Sequence, residues 1–309
     1  MIPFLEFIET GIDNESFQKR IEASKPEEVI SFIYTSGTTG NPKAGVINNH
    51  NVISAIRHLP DMIEVKKDDI SIAYLPLAHI AERLIGHFIK LVYGNKTAFA
   101  ESIEDMPDNV RQVGPTIILG TPRIFEKYYA RIVTGIDDAT WAQKTVYNWA
   151  VQTGKKRAKL LAKGKTISLL MRIRSNIAQF LIFNKINEIF GSRLRVMLSG
   201  AAPLSPEIIH YFSWMGITIY EGYGMTETTG IISCNRPGFI KIGSVGRALP
   251  DTEIRIANDG EICVRAPQNI QNYFKNDGET KELLKPDDNG SFWLHTGDVG
   301  HIDEEGYLF

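Results

Sequence analysis

The chain carries, directly after its first apolar run, the segment Tyr34-Thr35-Ser36-Gly37-Thr38-Thr39-Gly40-Asn41-Pro42-Lys43. The apolar run, residues 29–33, predicts a buried strand. The segment then brings four hydroxyl side chains, two glycines and a lysine into nine residues. Glycines let backbone N–H groups approach a ligand closely, hydroxyls donate further hydrogen bonds, and a lysine adds a positive charge. The segment therefore predicts a loop that binds phosphate groups.

This loop differs from a Walker A motif, in which Gly-Lys-Ser/Thr stands directly before a helix. Lys43 lies three residues after Gly40, and Pro42 removes one backbone donor between them. The alternative interpretation is a hydroxyl-rich surface loop with no ligand. Other segments of the chain decide between the two interpretations.

Composition and charge narrow the classes of protein to which the chain can belong. Its 309 residues and 43% hydrophobic content suffice for one large or two ordinary domains. The formal net charge of −2 predicts no nucleic-acid partner. Residues 1–10 lack the basic region of a signal peptide and no apolar run reaches ~18 residues, so we expect a cytoplasmic protein without a transmembrane helix. Cys234 and Cys263 lack metal-ligand spacing and are expected to be reduced, although a disulfide stays open.

The first part of the chain alternates strands with helices. Residues 44–47 predict a second strand, followed by an Asn/His cluster that caps a helix. Residues 69–77 and 115–122 predict further strands, each leading into a helix with apolar residues at helical spacing. This alternation is typical of an α/β fold with mainly parallel sheets covered by helices. His79 lies at one strand-to-helix turn, where it either caps the helix or faces a ligand.

Residues 139–187 differ in character from the rest of the chain. They hold ten Lys/Arg and no Asp or Glu, and their apolar residues are spaced for helices. Such a basic amphipathic segment either lies on an anionic membrane surface or forms a solvated helical excursion with a positive face.

Two segments after predicted strands leave room for a flat ring. In residues 199–204, Gly200 and Ala201 leave room for a flat ring against the backbone, although small-residue turns are common. Residues 220–227 read Tyr-Glu-Gly-Tyr-Gly-Met-Thr-Glu, and the glycines on either side of Tyr223 free space for its ring to stack on a base. The segment ends in Thr226, a hydroxyl for a phosphate, and Glu227, a hard oxygen ligand for Mg²⁺. The alternative is a glycine-rich turn that ends in a helix cap.

From residue 243 the pattern changes to short alternating strands. Residues 252–256 and 261–265 flank the turn Asn258-Asp259-Gly260, which predicts a hairpin within a small antiparallel β unit near the C-terminus. Asp298 follows a further strand, where an Asx turn is the simplest interpretation of its carboxylate.

Taken as complete strings, these segments resemble the signatures of the adenylate-forming superfamily, which includes acyl-CoA synthetases, luciferases and the adenylation domains of peptide synthetases. The phosphate loop, Tyr-Gly-x-Thr-Glu and Thr-Gly-Asp298 occur in the order of that family. Leu-Pro-Leu-Ala-His79 and Thr-Pro-Arg-Ile-Phe-Glu-Lys127, with the basic helical region, resemble its long-chain fatty acyl-CoA synthetase branch. Ala44 and Asn49 depart from the family, which usually has glycine at the first position and often histidine at the second.

The resemblance implies a role for each candidate residue. Glu227 would bind Mg²⁺ and Thr226 the α-phosphate, while the phosphate loop with Lys43 would hold the β- and γ-phosphates. Asp298 would accept hydrogen bonds from both ribose hydroxyls, and His79 would help to place the carboxylate substrate. The implied catalytic residues are Lys43, His79, Thr226 and Glu227, and the implied cofactor-binding residues are Thr35, Ser36, Gly37, Thr38, Thr39, Gly40, Lys43, Gly200, Ala201, Tyr223, Gly224, Thr226 and Asp298.

The implied reaction is the ATP-dependent activation of a long-chain fatty acid. Its carboxylate attacks the α-phosphorus of ATP to give acyl-AMP and pyrophosphate, and CoA, the co-substrate, then displaces AMP. Because this attack brings anions together, the site has to neutralise charge and align groups. Peripheral contact with an anionic membrane through residues 139–187 is a further implied partner interaction.

The resemblance covers almost the whole chain and predicts its division. Residues 1–242 would form part of the AMP-binding large domain, with a basic helical insertion at about 139–190, and residues 243–309 a small β subdomain. The C-terminal domain with the catalytic lysine would be absent, and we expect the chain to be truncated at both ends relative to the family. An uncovered sheet edge would then make the chain prone to aggregate or dependent on a partner.

Three alternatives stay open. The chain could be an acyl-AMP ligase that uses an acceptor other than CoA. It could be a truncated, non-catalytic module that binds a nucleotide or an acyl chain. It could also come from an incomplete gene model of a full enzyme.

Overall fold

The computed structural model describes residues 13–35, 41–162 and 165–309, and strands from these ranges form three sheets. The strands are β1 (Val29–Thr35), β2 (Lys43–Asn48), β3 (Ile70–Ala73), β4 (Lys96–Phe99), β5 (Ile117–Gly120), β6 (Val196–Ser199), β7 (Ile219–Met225), β8 (Gly230–Cys234), β9 (Arg247–Ala248), β10 (Glu253–Ile256), β11 (Glu261–Arg265), β12 (Leu284–Pro286) and β13 (Phe292–Val299).

Helices connect and cover these strands. The α-helices are α1 (Asn14–Ala23), α2 (Asn49–Arg57), α3 (Leu59–Met62), α4 (Ile89–Tyr93), α5 (Met106–Val113), α6 (Pro122–Asp137), α7 (Trp141–Ala162), α8 (Leu169–Ala178), α9 (Asn184–Asn187), α10 (Pro206–Trp214) and α11 (Asp277–Leu283). A π-helix, Glu82–Phe88, leads into α4, a second, Gln179–Phe183, follows α8, and a short 3₁₀ helix, Glu188–Phe190, follows α9. Among the described residues, no helix combines the length and the apolar character that crossing a bilayer requires.

The central sheet has seven strands in the order β4-β3-β5-β6-β7-β8-β9. The first five strands run parallel to one another, and β8 pairs antiparallel with both β7 and β9. On β6, Met197 packs into one hydrophobic cluster and its neighbour Leu198 into another, because successive side chains of a strand point to opposite faces. Both faces of the sheet are therefore covered, as expected for parallel strands. The predicted α/β class with a mainly parallel sheet is confirmed.

The first predicted strand forms, but it is not the buried strand that its composition suggested. β1 pairs only with β2, in an antiparallel two-stranded sheet outside the central sheet. Ile33 is buried, whereas Val29, Ile30 and Phe32 are 39–49% exposed. A two-stranded sheet buries one face at most here, so an apolar run on both faces leaves one set of side chains in solvent.

The predicted asparagine cap of the next helix is confirmed. The side chain of Asn48 accepts a hydrogen bond from the backbone N–H of Asn51 at 2.9 Å, and the side chain of Asn51 accepts one from the N–H of Asn48 at 3.0 Å. This reciprocal arrangement is a capping box, which satisfies two backbone donors at the start of α2.

The small antiparallel unit near the C-terminus is confirmed as a four-stranded sheet in the order β10-β11-β13-β12. Glu253 pairs with Arg265 and Ile256 with Ile262, so the hairpin turns at the predicted Asn-Asp-Gly segment. The division of the chain at residue 242 stays a prediction, and β9, which begins at Arg247, pairs with β8 in the central sheet.

Candidate active site

The carboxyl ends of β6 and β7 open onto a cleft that β13 borders from the small sheet. The hydroxyl of Tyr223, on β7, donates a 2.6 Å hydrogen bond to Oδ2 of Asp298, on β13. Burial, and then the neighbouring carboxylate, raise the pKa of the Tyr223 phenol, so it stays a donor at neutral pH. Two residues implied for nucleoside binding thus meet across the two sheets.

The cleft around this pair is partly open to solvent. Ala201 lines it with a backbone φ of 69°, a left-handed conformation that is unusual for a residue with a side chain. Gly200 lies beside the backbone of β7, since a Cβ there would be 3.5 Å from the carbonyl oxygen of Gly222. This part of the site is therefore mostly backbone and methyl groups, which suits a flat ring.

One acidic residue of this cleft was not among the predicted site residues. Glu221 is 7% exposed, and its Oε2 has no hydrogen-bond partner among the described residues. Burial raises its pKa to about 7, against the opposing effect of the amides of Leu204 and Gly243. A buried carboxyl group with a free oxygen in a cleft is a candidate contact for a ligand.

The sequence suggested that Gly224 is a glycine in order to leave space around the ring of Tyr223. The structure shows a different constraint at this position. A Cβ at Gly224 would lie 1.9 Å from the carbonyl oxygen of Gly230, where β7 and β8 approach each other closely. Residues 226–229 form the turn of this β7–β8 hairpin. The alternative interpretation of Thr226 as a helix cap is therefore wrong, because the chain turns into a strand and not into a helix.

A second, smaller and apolar cavity adjoins the cleft. The two share Ser199, Ala201, Gly222 and Gly224 as lining residues, so the ends of β6 and β7 form their common wall. The rest of the lining is mainly aliphatic, including Leu75, Ile80, Leu84, Ile85, Leu119, Leu198 and Ile231.

His79 is at the edge of this apolar cavity. Its side chain is exposed and its Nδ1 accepts a hydrogen bond from the N–H of Ala81 at 3.2 Å, as a helix-capping residue would. The capping interpretation thus describes its contacts, and the implied role in placing a carboxylate stays a prediction. Nearby, the backbone N–H groups of Tyr74 and Leu75 donate to the buried carboxylate of Glu82, whose pKa is raised by burial.

Glu227, the predicted metal ligand, is buried with its carboxylate tied to two hydroxyl groups. Tyr273 donates to its Oε1 at 2.6 Å, and Thr35 lies 3.4 Å from the same oxygen. Hard oxygen donors of this kind are the ligands that Mg²⁺ prefers, and so the residues present fit the ion. Thr226 lies next to the phosphate-loop strand, because a Cβ at Gly45 would be 3.5 Å from its methyl group.

Lys43, at the start of β2, forms an ion pair with Glu279 on α11. Neither Tyr273 nor Glu279 belongs to a motif that the sequence singled out. Both are far from their partners in the chain, 46 and 236 residues respectively, and no sequence signal indicated these contacts. The remaining residues of the predicted phosphate loop, Ser36, Gly37, Thr38, Thr39 and Gly40, lie outside the described residues.

The small sheet holds the turn that carries Asp298. One oxygen of Glu261 accepts from the N–H of Gly297 at 2.8 Å, and the other lies 2.5 Å from Nδ1 of His295. Cys263 lies behind this pair, and both it and Cys234 are buried free thiols. The expectation of reduced cysteines is therefore confirmed within the described residues.

Fold and site together define an α/β protein with an apolar cavity beside the cleft that holds the Tyr223–Asp298 pair. The sequence profile of the family described as "AMP-binding enzyme" matches residues 4–274. The chain belongs to this family.

Similar proteins carry fatty-acid–CoA ligase names. The chain is 34% identical over 298 residues to long chain acyl-CoA synthetase 6, peroxisomal, of Arabidopsis thaliana, and covers 40% of that protein. It is 31% identical over 306 residues to the long-chain-fatty-acid–CoA ligase FadD15 of Mycobacterium bovis, covering 48% of it, and 30% identical over 314 residues to long-chain-fatty-acid–CoA ligase 5 of Mus musculus, covering 44%. These alignments include 91%, 96% and 96% of the present chain, which thus spans about half the length of the curated relatives that it matches.

Solved structures agree on the fold. ATP-bound MatB from Rhodopseudomonas palustris superposes with a TM-score of 0.66 at 23% identity, over 92% of this chain and 48% of that one. The inhibitor-bound N-terminal domain of FACL13 from Mycobacterium tuberculosis gives 0.64 at 20% identity, over 96% and 65%. At these identities the likeness establishes the architecture alone.

Proposed function

We propose that this chain contributes the nucleotide and acyl sites for the ATP-dependent activation of a long-chain fatty acid to acyl-AMP and then to acyl-CoA. The observation that carries the proposal is the shared wall of the two cavities. A cleft that contains the polar Tyr223–Asp298 pair adjoins an aliphatic cavity across Gly222 and Gly224. A molecule joining a nucleotide to an alkyl chain, such as an acyl adenylate, matches this combination.

The charged groups around the cleft support the same chemistry. Lys43 and the hydroxyl groups of the phosphate loop would bind the β- and γ-phosphates, and Thr226 would bind the α-phosphate. Mg²⁺ on Glu227 would neutralise phosphate charge, which lowers the cost of bringing a carboxylate to the α-phosphorus. Tyr223 and Asp298 would hold the nucleoside, so that the reacting atoms lie at the junction of the cavities.

The preference for a long acyl chain rests on two observations. The aliphatic lining of the second cavity matches an alkyl chain, and the relatives at 30–34% identity are named as long-chain ligases. CoA as the acceptor follows from the same names.

Palmitate-dependent exchange of radioactive pyrophosphate into ATP tests the first step. We expect exchange that requires palmitate, Mg²⁺ and the chain together, and incubation with CoA then gives palmitoyl-CoA. Exchange without thioester formation would favour an acyl-AMP ligase with another acceptor. Nucleotide binding without any exchange would favour the non-catalytic binding module.

The basic region suggests a second property, attachment to an anionic membrane surface. On α8, Leu169, Ile173 and Ile177 follow one another at helical spacing, and all three are 44–74% exposed. Phe180, in the π-helix that follows, continues this apolar stripe and is 74% exposed. Because the described Lys and Arg side chains of residues 139–187 take part in no salt bridge with the described residues, their charge is available to anionic headgroups.

A further inference from the structure

The segment 270–280, which we call the strap, lies across the predicted ATP site. The N–H of Ile270 donates to the carbonyl of Glu227 at 2.8 Å, and the N–H of Phe274 donates to the carbonyl of Ala44 at 2.8 Å. The strap is thereby fixed both to the Tyr-Gly-x-Thr-Glu segment and to the phosphate-loop strand β2. Its side chains reach the two charged groups that the proposed function assigns to the triphosphate end of ATP.

Tyr273 is the first of these side chains. It is 5% exposed, and its hydroxyl donates to Oε1 of Glu227 at 2.6 Å. The second hydroxyl close to this carboxylate, that of Thr35, also lies nearest Oε1, at 3.4 Å. Among the described residues, Oε2 accepts no hydrogen bond, so it is the oxygen left for a cation.

Glu279 is the second side chain. Its carboxylate pairs with the ammonium group of Lys43, whose side chain is 17% exposed, against 38% for Glu279. The ammonium also lies 5.7 Å from the ring centroid of Tyr273, so the two strap contacts are adjacent in space. To bind a phosphate, Lys43 has either to pair with the phosphate and Glu279 together or to break its ion pair with Glu279. The Glu279 carboxylate itself repels a polyanion.

We propose that Tyr273 is a positioning residue that presents Oε2 of Glu227 to the metal ion, and that Glu279 is a resting counter-ion of Lys43 that opposes the binding of the triphosphate. The inference rests on the proposed function, because it takes the ligand of Lys43 and Glu227 to be ATP with its metal. Its two parts predict opposite signs. Loss of the Tyr273 hydroxyl weakens metal-dependent binding, whereas loss of the Glu279 charge strengthens ATP binding.

Calorimetric titration of ATP into the 309-residue chain, with and without Mn²⁺, measures both parts. Tyr273→Phe should weaken ATP binding about tenfold or more with Mn²⁺ and leave metal-free binding within about twofold, since it removes a hydrogen bond to the charged metal ligand and no contact to the nucleotide itself. Glu279→Gln should tighten ATP binding about 3- to 10-fold under both conditions. Tyr307→Phe and Glu282→Gln, a buried phenol elsewhere and an exposed carboxylate on α11, are the matched controls and should change nothing.

A merely structural role would weaken binding in both variants and with or without metal, and this result would overturn the inference. A gain from Glu279→Gln that persists when Lys43 is already glutamine would also overturn it, because the counter-ion acts through Lys43. Electron paramagnetic resonance of bound Mn²⁺ gives an independent measure of the Tyr273 effect. If the unmodified chain binds no ATP, the proposed function itself fails, and this outcome is distinct from unchanged affinities in the variants.

Discussion

At the scale of single residues, the Tyr223–Asp298 contact joins two segments 75 residues apart. The carboxylate of Asp298 is exposed, so a nucleoside can reach it from solvent, while the half-buried phenol fixes its orientation. A carboxylate offers two acceptor oxygens to the two neighbouring hydroxyls of a ribose, whereas an amide offers one oxygen and two donor hydrogens.

Asp298→Asn should therefore weaken the binding of AMP by about tenfold or more, since a charge-assisted hydrogen bond contributes ~1.5–3 kcal/mol. Fluorescence or calorimetric titration with AMP measures the change. Asp288→Asn, on an exposed loop, is the control and should bind AMP as the unmodified chain does. Equal affinities for all three proteins would remove Asp298 from the site.

The carboxyl group of Glu221 makes stability depend on pH. Its pKa is raised from 4.5 to about 7 by burial, so the folded chain keeps a proton that the unfolded chain releases between these pH values. The contribution of Glu221 to the free energy of unfolding therefore falls as pH rises from 4.5 to 7, by ~3.5 kcal/mol at the upper limit.

Glu221→Gln carries no charge at any pH, so we expect it to melt several degrees above the unmodified chain at pH 8 and at the same temperature at pH 4.5. Differential scanning calorimetry at the two pH values measures this difference. Glu126→Gln, an exposed glutamate on α6, controls for a general effect of charge. A stabilisation by Glu221→Gln that is independent of pH would contradict the assignment.

The sequence indicated which types of residue lie at the site, but it did not indicate the contacts that these residues make. The strings around Tyr223, Glu227 and Asp298 were recognisable because each combines several constrained residues in a short segment. Tyr273 and Glu279 were missed, because their partners lie far away in the chain, in the β7–β8 turn and on β2, and only the folded chain brings them together. Their functional roles, like those of the other site residues, stay predictions.

At the scale of secondary structure, the β7–β8 hairpin positions Tyr223, Thr226 and Glu227. Its tight approach depends on Gly224, where any side chain would meet the backbone of Gly230. Such a clash forces the two strands apart at the wall that both cavities share.

Gly224→Ala should lower the melting temperature by several degrees, because overpacking of this kind costs ~1–3 kcal/mol. Gly135→Ala is the matched comparison: it lies within α6, a Cβ there has no atom within 4 Å, and alanine favours a helix by up to ~1 kcal/mol. We expect the second variant to melt slightly above the unmodified chain. Similar melting temperatures for both would show that the close approach at Gly224 has no energetic consequence.

The order of strands and helices could be predicted, because apolar runs, caps and turn residues are local signals. The environment of a strand could not. β1 has the composition of a buried strand, yet half of it faces solvent, since burial depends on which elements pack against it. Phe32 is 46% exposed, and its ring centroid lies 4.8 Å from that of Phe274 on the strap.

At the scale of the whole molecule, charge and apolar surface are unevenly distributed. The basic region is helical and lies between β5 and β6 in the chain, well before the small sheet. It carries the exposed apolar stripe of Leu169, Ile173, Ile177 and Phe180. A surface of this kind favours the interface of an anionic bilayer, where both the apolar and the positive groups find partners.

Sedimentation with anionic vesicles at low salt tests this attachment. We expect the chain to sediment with phosphatidylserine-containing vesicles and not with neutral ones, and the Leu169→Ser/Phe180→Ser variant should lose most of the binding. Leu91→Ser is the control, since Leu91 is 72% exposed but lies on α4, outside the basic region. Absence of binding to anionic vesicles, or equal loss in the control, would exclude the stripe as a membrane surface.

The central claim is that a nucleotide cleft and an acyl cavity meet at the ends of β6 and β7, so that one molecule can occupy both. Comparing the affinities of palmitoyl- and acetyl-sulfamoyl adenosine, stable analogues of acyl adenylates, tests it most directly. Because burial of each methylene contributes up to ~0.8 kcal/mol, the palmitoyl compound should bind at least 100-fold more tightly than the acetyl compound. Equal affinity of the two compounds, or no binding of either, would contradict the claim.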